Sequence, residues 1–353
     1  MLAAVLFLPV GASAVSARRA YAVDAVSGRV LYEKNPTERS LIASTTKIMT
    51  ALIVCEQCNV LDRMRIPKEA VGIEGSSMYL KEGEVLTLQE LLYGLMLSSG
   101  NDAAVALAIY CGGTVQGFAE LMNDKAHNLG LTGTHFENPN GLDSPGHYST
   151  AKDLGTLAAY AMENPIFYKT VSAKNVKVGG RYLTNHNKLL WRVAGADGVK
   201  TGFTKAAGRI LVSSATRDGR RVIVVTIDDP SDWSDHAALM EEGFSRYAIQ
   251  RVVNQGDRVG TVEVVGGEKR RGEVLAAEDF DYSVAPEEHP CLALPGPGFI
   301  YAPAVEGADA GVVYVLIEGK AVGKVPVVYG ATIEQTQPEE KSFWQKLFHR
   351  GSG

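Results

Sequence analysis

A serine and a lysine three residues apart, Ser44 and Lys47, open the stretch LIASTTKIMTALIV (residues 41–54). On a helix, positions three apart share a face, so the Lys47 amine can reach the Ser44 hydroxyl. A serine hydroxyl is a poor nucleophile until a neighbouring base takes its proton. Lysine, with an unperturbed pKa of about 10.4, is cationic in water and useless as that base. Burial disfavours its charged form and lowers the pKa, as does a second cation nearby. The run after Lys47 is apolar on every side, the mark of a helix central to a domain. Nucleophilic catalysis by a lysine-activated serine is the chemistry this spacing offers.

Two further groups follow along the chain. Ser99-Gly100-Asn101, within SSGND, interrupts one helical pattern and begins another, a loop suited to projecting side chains into a cleft. Alone, it reads as readily as a helix–helix turn capped by Asn101 or Asp102. Lys200-Thr201-Gly202 leads into GRILVSSA and, alone, is an ordinary charged turn. A second S-x-x-K runs from Ser149 to Lys152. It stands at a helix N-cap, where Ser and Thr are favoured for backbone reasons, and its helix carries polar residues fit for a surface. No S-x-N lies between Ser149 and Lys200, so only Ser44 completes the series.

Other readings fail on spacing. Walker A needs Gly directly before Lys, and Val199 stands there in GADGVKT. His135, His147 and His186 show no H-E-x-x-H spacing, so no metal is called for. The acidic DDPSDWSDH lacks the EF-hand pattern and reads as a loop into a helix cap at Ser234 or Asp235.

The elements that must position these groups can be read from periodicity. YAVDAVSGRVLYEKN is a hairpin around a Ser-Gly turn. Leu88, Leu91, Leu92 and Leu95 fall at helical spacing, and TVQGFAELMNDKAHNLG is a helix closed by Gly130. Thr150 with Asp153 caps another helix. GRILVSSATRDGRRVIVVTIDD is two strands around Asp218-Gly219. Strands at both ends with helices between predict an α+β domain over residues 18–248, one sheet assembled from chain-distant pieces around an inserted helical region. From 249 to 335, short Val-rich runs separated by Gly and Pro turns predict a small all-β domain.

In this order, S-x-x-K, S-x-N and K-T-G form a known set. Here the chain resembles the serine-type D-alanyl-D-alanine carboxypeptidases, the low-molecular-mass penicillin-binding proteins. YAVDAVSGRVLYEKN, ASTTKIMTAL, LMLSSGNDAA, FAELMN, NPNGLD, HYSTAKDL and NHNKLL with DGVKTGFT carry the likeness, densely over residues 20–248. The resemblance implies a β-lactamase/transpeptidase-like catalytic domain, antiparallel sheet with inserted helices. It implies removal of the terminal D-alanine from peptidoglycan pentapeptide stems, without a cofactor, and covalent inhibition by β-lactam antibiotics. By the same resemblance Ser44 is the nucleophile and Lys47 its base. Ser99 relays a proton to the leaving amine, and Asn101 holds the substrate amide. Lys200 and Thr201 take its carboxylate, and the backbone N–H groups of Ser44 and Phe203, the latter just past Gly202, bind the oxyanion. Phe203 departs from members with histidine there.

A β-lactamase is the rival within this chemistry. It needs a deacylating base, for which Glu137 and Glu163 lie in the right interval, but NPNGLDSPGHYST resembles the carboxypeptidases. A non-catalytic wall-binding protein is the rival outside it, disfavoured because all three motifs are intact.

The 353 residues, 46% hydrophobic and 21% charged, have room for two globular domains. A formal net charge of -5 gives no basic excess for nucleic acid. MLAAVLFLPVGASAVSA reads as a signal segment over residues 1–17, with Val15 and Ala17 before the cut and no Lys or Arg ahead of the apolar run. Export to the outer face of the cytoplasmic membrane follows. Cys55 and Cys58, with Cys111 and Cys291 elsewhere, read as packing thiols, because no second C-x-x-C completes a zinc site. In the tail, 336–353, Phe343, Trp344, Leu347 and Phe348 fall on one helical face with Lys341, Lys346 and Arg350 around it, the pattern of a segment lying on a membrane surface.

Overall fold

A computed structural model of the chain describes residues 15–295 and 298–337. The expected membrane tail lies, from 338 on, outside the described residues. Two compact units divide the chain, Met1–Tyr247 and Ala248–Gly353.

The first unit begins with the expected hairpin, β1 (Arg19–Asp24) and β2 (Val30–Lys34). Helical territory follows: α1 (Lys47–Gln57), the short pair β3 (Arg63–Arg65) and β4 (Val85–Thr87), then α2 (Leu88–Leu97), α3 (Asn101–Gly112) and α4 (Val115–Asn128). Next come α5 (Ala151–Met162), α6 (Pro165–Ser172), the hairpin β5 (Asn175–Val178) with β6 (Arg181–Thr184), and α7 (Leu189–Arg192). The chain then returns to the sheet through β7 (Ala196–Thr204), β8 (Gly208–Arg217) and β9 (Arg220–Ile227), and ends in α8 (Asp232–Arg246). The five main strands lie in the order β2-β1-β9-β8-β7, every neighbour antiparallel. The sheet therefore joins the two ends of the unit around its helices, as the sequence predicts.

Both faces of this sheet are covered. Along β9, Ile223, Val225 and Ile227 enter the large core shared with α1–α5, while Val222 and Val224 enter a second core with Leu239 and Met240 of α8. That is why the middle of the strand, Val222–Val225, reads as an unbroken apolar run. Local signals start the helices. Thr87 and Glu90 form a reciprocal capping box on α2, and the Thr114 and Thr150 side chains accept from Gly117 N and Asp153 N. From Lys47 to Cys55 every residue of α1 is buried, as its unbroken apolar run requires.

Two expectations need correction. Helix α8 starts at Asp232, not at Ser234 or Asp235; Asp232 and Asp235 instead fill its first turn, where carboxylates favour the helix dipole. Helix α5 lies at the surface as expected, exposing one stripe, Lys152, Thr156 and Tyr160, at four-residue spacing while its other face is buried. Its Asp153 is turned inward to accept from Gly133 N and Thr134 Oγ1. Cys58 is disulfide-bonded to Cys111, joining the ends of α1 and α3, while Cys55 stays buried and free. The last residues of the expected signal segment pack against this unit. Val15 and Ala17 are buried in the α8 core, and Ser16 Oγ donates to Asp229 and Asp235.

The second unit is all-β. β10 (Ala248–Val253) pairs with β13 (Phe280–Val284). β11 (Arg258–Val265), β12 (Arg271–Ala276), β14 (Cys291–Ala293), β15 (Phe299–Tyr301), β16 (Asp309–Ile317) and β17 (Lys320–Tyr329) form one sheet in the order β14-β16-β17-β12-β11-β15. Val253, Val274, Val313, Val315, Val325 and Val327 make its core. No single helix among the described residues is long and apolar enough to cross a membrane.

Two buried histidines make the first unit acid-sensitive. Nδ1 of His236 meets Ser213 Oγ at 2.5 Å and Nε2 meets Thr226 Oγ1 at 2.9 Å; burial pushes its pKa down to about 3. Burial pushes His147 down to about 4. Both folded values lie below that of the free imidazole, so below pH ~6.5 the unfolded chain binds more protons than the folded one. Stability is complete above that pH and is lost as pH falls toward the folded values, by roughly 2 kcal/mol per histidine at pH 5. The urea midpoint should drop clearly between pH 7 and pH 5; an unchanged midpoint would contradict the neutral buried rings.

Candidate active site

Ser44 sits in a 3₁₀ turn, Ala43–Thr46, that runs directly into α1, whose first residue is Lys47. The amine of Lys47 lies 2.8 Å from Ser44 Oγ, 2.6 Å from Asn101 Oδ1 and 2.6 Å from the Asn140 carbonyl. As an ammonium it would donate to all three. As a neutral amine it donates to the two carbonyl oxygens and turns its lone pair to the serine hydroxyl, ready to accept that proton. Its pKa is held well below the ordinary value, first by complete burial and next by the positive charge of Lys200, with Asp102 opposing.

Asn101 is the first residue of α3, and its amide also donates to Glu74 O. Ser99 occupies the turn before it with φ +59°, as Ala43 does before Ser44 with φ +44°. Left-handed backbone at non-glycine residues costs about 1–3 kcal/mol each and persists only where the surroundings enforce it. Asp102 helps to do so, accepting from Ser77 Oγ, Met78 N and Leu80 N.

Lys200, Thr201 and Gly202 lie within β7, not in a turn, and Phe203 beside them is 64% exposed. Lys200 is buried, which pushes its pKa down to about 7; Nζ donates to the Thr201 carbonyl at 2.8 Å. At Gly202 a Cβ would stand 3.3 Å from Ile42 O, Ser44 N and Thr45 Cγ2. The absent side chain lets β7 lie against the backbone that carries Ser44, as a shared pair of oxyanion donors requires.

Ser44, Ser99, Thr201, Gly202 and Phe203 line one cleft of about 380 Å³, together with His186 and Arg209. Its only lining carboxylate among the described residues is Asp232, which pairs with Arg209 in a fork of 2.7 and 2.8 Å. Neither glutamate of the β-lactamase reading is there. Glu137 is held by Ser144 Oγ and Gly146 N, and Glu163, 74% exposed, pairs with Arg221. The second S-x-x-K is likewise apart: Ser149 Oγ bonds Thr134, and Lys152 is exposed.

The family model described as D-alanyl-D-alanine carboxypeptidase matches residues 8–231. The chain belongs to the D-alanyl-D-alanine carboxypeptidase family. A second model, described as the C-terminal domain of penicillin-binding protein 5, matches residues 247–335. Among curated carboxypeptidases, the chain is 33% identical to DacF of Bacillus subtilis over 283 residues, 74% of this chain and 71% of that protein. It is 32% identical to DacC of Escherichia coli over 346 residues, 92% and 86% of the two chains. Penicillin-binding protein 5 from Haemophilus influenzae superposes with a TM-score of 0.79 at 29% identity, covering 91% of this chain and 98% of that one. The α+β catalytic unit followed by an all-β unit is thus the fold of these carboxypeptidases.

Part of the site in this family member escaped the sequence. Asn140 contributes only its carbonyl, and His147 acts at one remove. Its Nδ1 accepts from Glu137 N, which leaves the proton on Nε2 to be donated to Thr46 Oγ1 at 2.7 Å, pinning the turn that holds Ser44. A Cβ at Gly141, φ +86°, would fall 1.8 Å from Ala43 O, so only glycine lets that loop close on the turn. The signal lay in NPNGLD and HYSTAKDL, stretches with family likeness and no chemistry of their own.

The Lys47–Lys200 repulsion has a kinetic signature. Acylation by a penicillin should rise with pH as the Lys47 amine loses its proton. Lys200→Met removes a cation that lowers that pKa, so the rising limb should move to higher pH whatever the loss in absolute rate. A limb at the same pH in both proteins would show that the charge of Lys200 does not reach Lys47.

Proposed function

We propose that Ser44 is the residue through which this serine-type D-Ala-D-Ala carboxypeptidase removes the terminal D-alanine from pentapeptide stems. The observation that carries this reading is the Lys47 amine, 2.8 Å from the Ser44 hydroxyl and kept from water. Lys47 takes the hydroxyl proton as Ser44 Oγ attacks the penultimate D-alanyl carbonyl. Negative charge on the carbonyl oxygen falls between the N–H groups of Ser44 and Phe203. The C–N bond breaks, Ser99 passes a proton to the departing amine, and an ester remains on Ser44. Water then cleaves the ester and frees the shortened stem. Asn101 orients both Lys47 and the substrate amide, while Lys200 and Thr201 receive the terminal carboxylate. β-Lactams acylate the same hydroxyl because they mimic the acyl-D-Ala-D-Ala end.

Labelled penicillin followed by peptide mapping tests the assignment. The adduct should lie on the Ser44 peptide, and Ser44→Ala should lose both labelling and D-alanine release by at least 10³-fold. Label on another peptide, or persisting in the variant, would overturn it.

We also infer that the chain is exported and works at the outer face of the cytoplasmic membrane. The apolar N-terminal segment supports export, and the amphipathic residues Phe343, Trp344, Leu347 and Phe348 support contact with the membrane surface. A cut after Ala17 would strip Val15 and Ala17 from the α8 core and leave Asp229 and Asp235 without Ser16. Sequencing the mature N-terminus should therefore find Val15 or an earlier residue first; a mature chain beginning at Arg18 would refute this.

A further inference from the structure

The loop between β3 and β4 carries one aromatic ring close to the Ser44 cleft and holds it in place. Ser76, in this loop, lines the cleft. Three residues on, Tyr79 is 81% exposed and has φ +61°. Left-handed backbone at a tyrosine persists only where its surroundings enforce it. Here they do. Met78 N and Leu80 N donate to the Asp102 carboxylate, and Tyr79 N donates to Ser77 Oγ at 2.8 Å. The Met78 and Tyr79 carbonyls accept from Arg181 at 2.7 and 2.8 Å, and Glu84 holds that guanidinium through both of its oxygens. The Met78 and Leu80 side chains on either side are buried. Backbone and neighbouring side chains are thus tied inward, which leaves the Tyr79 ring outward on a rigid base.

The loop also stands on a defined side of the reacting bond. Asn101 N donates to Ser76 O at 2.7 Å, and the Asn101 amide donates to Glu74 O. With Asn101 holding the substrate amide and Thr201 receiving the carboxylate of the departing residue, the acyl part of the stem leaves the cleft past Asn101 and this loop. We propose that Tyr79 binds the sugar to which the peptide stem is attached, stacking its ring on the apolar face of that sugar. Length supports the assignment. Four residues of a pentapeptide stem precede the reacting bond and span roughly 14 Å when extended. From Ser76 at the cleft to Tyr79 is at most about 11 Å. The character of the surface supports it too. A tyrosine offers an apolar ring face, a polar tip and contact area at little cost in conformational entropy, and Ser76, Lys81 and Glu82, near it in the chain, are exposed and polar. A sugar is complementary, with C–H bonds on its face and hydroxyl and N-acetyl groups at its edge, whereas a lipid or an apolar helix needs a wider apolar patch. The inference rests on the assignments of Ser44 and Asn101 above and adds no bond-making step to them.

Free pentapeptide and the same pentapeptide carrying its amino-sugar disaccharide, each given to the full-length enzyme, test it through D-alanine release. The sugar-bearing substrate should show a kcat/KM about tenfold higher, the scale of one well-packed aromatic contact. Tyr79→Ala should bring that value down to the free peptide's. Tyr79→Phe, which keeps the ring, should stay within about twofold of the unaltered enzyme. All three proteins should release D-alanine from free pentapeptide, and be acylated by penicillin, at rates within about twofold of one another, which also reports an intact fold. Equal kcat/KM on the two substrates would overturn the proposal. So would a sugar preference that Tyr79→Ala leaves in place, or a loss that falls on both substrates alike. An enzyme inert toward both peptides and penicillin would overturn the reading of Ser44, and this one with it.

Discussion

A lysine amine kept from water beside a serine hydroxyl is the constraint around which the first unit is arranged. Burying a cation is costly unless its pKa falls or its partners compensate. Here both occur. Lys47 lies at the head of a helix buried from end to end almost without interruption, and its hydrogen-bond partners are a side-chain amide and a main-chain carbonyl, not a carboxylate. A carboxylate in either place would restore the ammonium and remove the proton acceptor proposed for Ser44. Asp102, the acid whose charge opposes the lowered pKa of Lys47, spends its oxygens on Ser77, Met78 and Leu80. Even the second lysine serves this end, since Lys200 repels a proton from Lys47.

The sheet has a corresponding task. It must deliver the backbone of β7 to the turn holding Ser44 from the opposite end of the unit, more than 150 residues later in the chain. Gly202 permits the approach, and the apolar residues of β8 and β9 hold the strand in place from both faces. Stability and geometry are therefore joined: the same burial that makes the sheet strong fixes its edge strand against the turn holding Ser44.

Much of this was legible beforehand. Ser44, Lys47, Ser99, Asn101 and the K-T-G run announce themselves because their side chains are of types that can do chemistry and their order is distinctive. The hairpins and most helix starts follow from turn residues and caps. What stayed hidden has a common physical character. Asn140 acts through a carbonyl that every residue possesses, and Gly141 and Gly202 act by lacking a side chain. Asp153 of α5 was another hidden part, a polar residue whose polarity is consumed internally by Gly133 and Thr134. Cys58 resembled a packing thiol because its partner, Cys111, stands 53 residues away and periodicity does not report such distances.

The disulfide between Cys58 and Cys111 has a consequence for the two helices it joins. At their leading ends α1 and α3 meet through Lys47 and Asn101, and at their trailing ends through sulfur. Two rods fastened at both ends form a closed frame, so neither can slide along the other without straining a covalent bond or pulling amide from amine. Closing a loop of this size removes about 4 kcal/mol of disorder from the unfolded chain in the entropic account. An oxidising surrounding would thereby stiffen the contact between Lys47 and Asn101 from the far end of both helices, some three turns away.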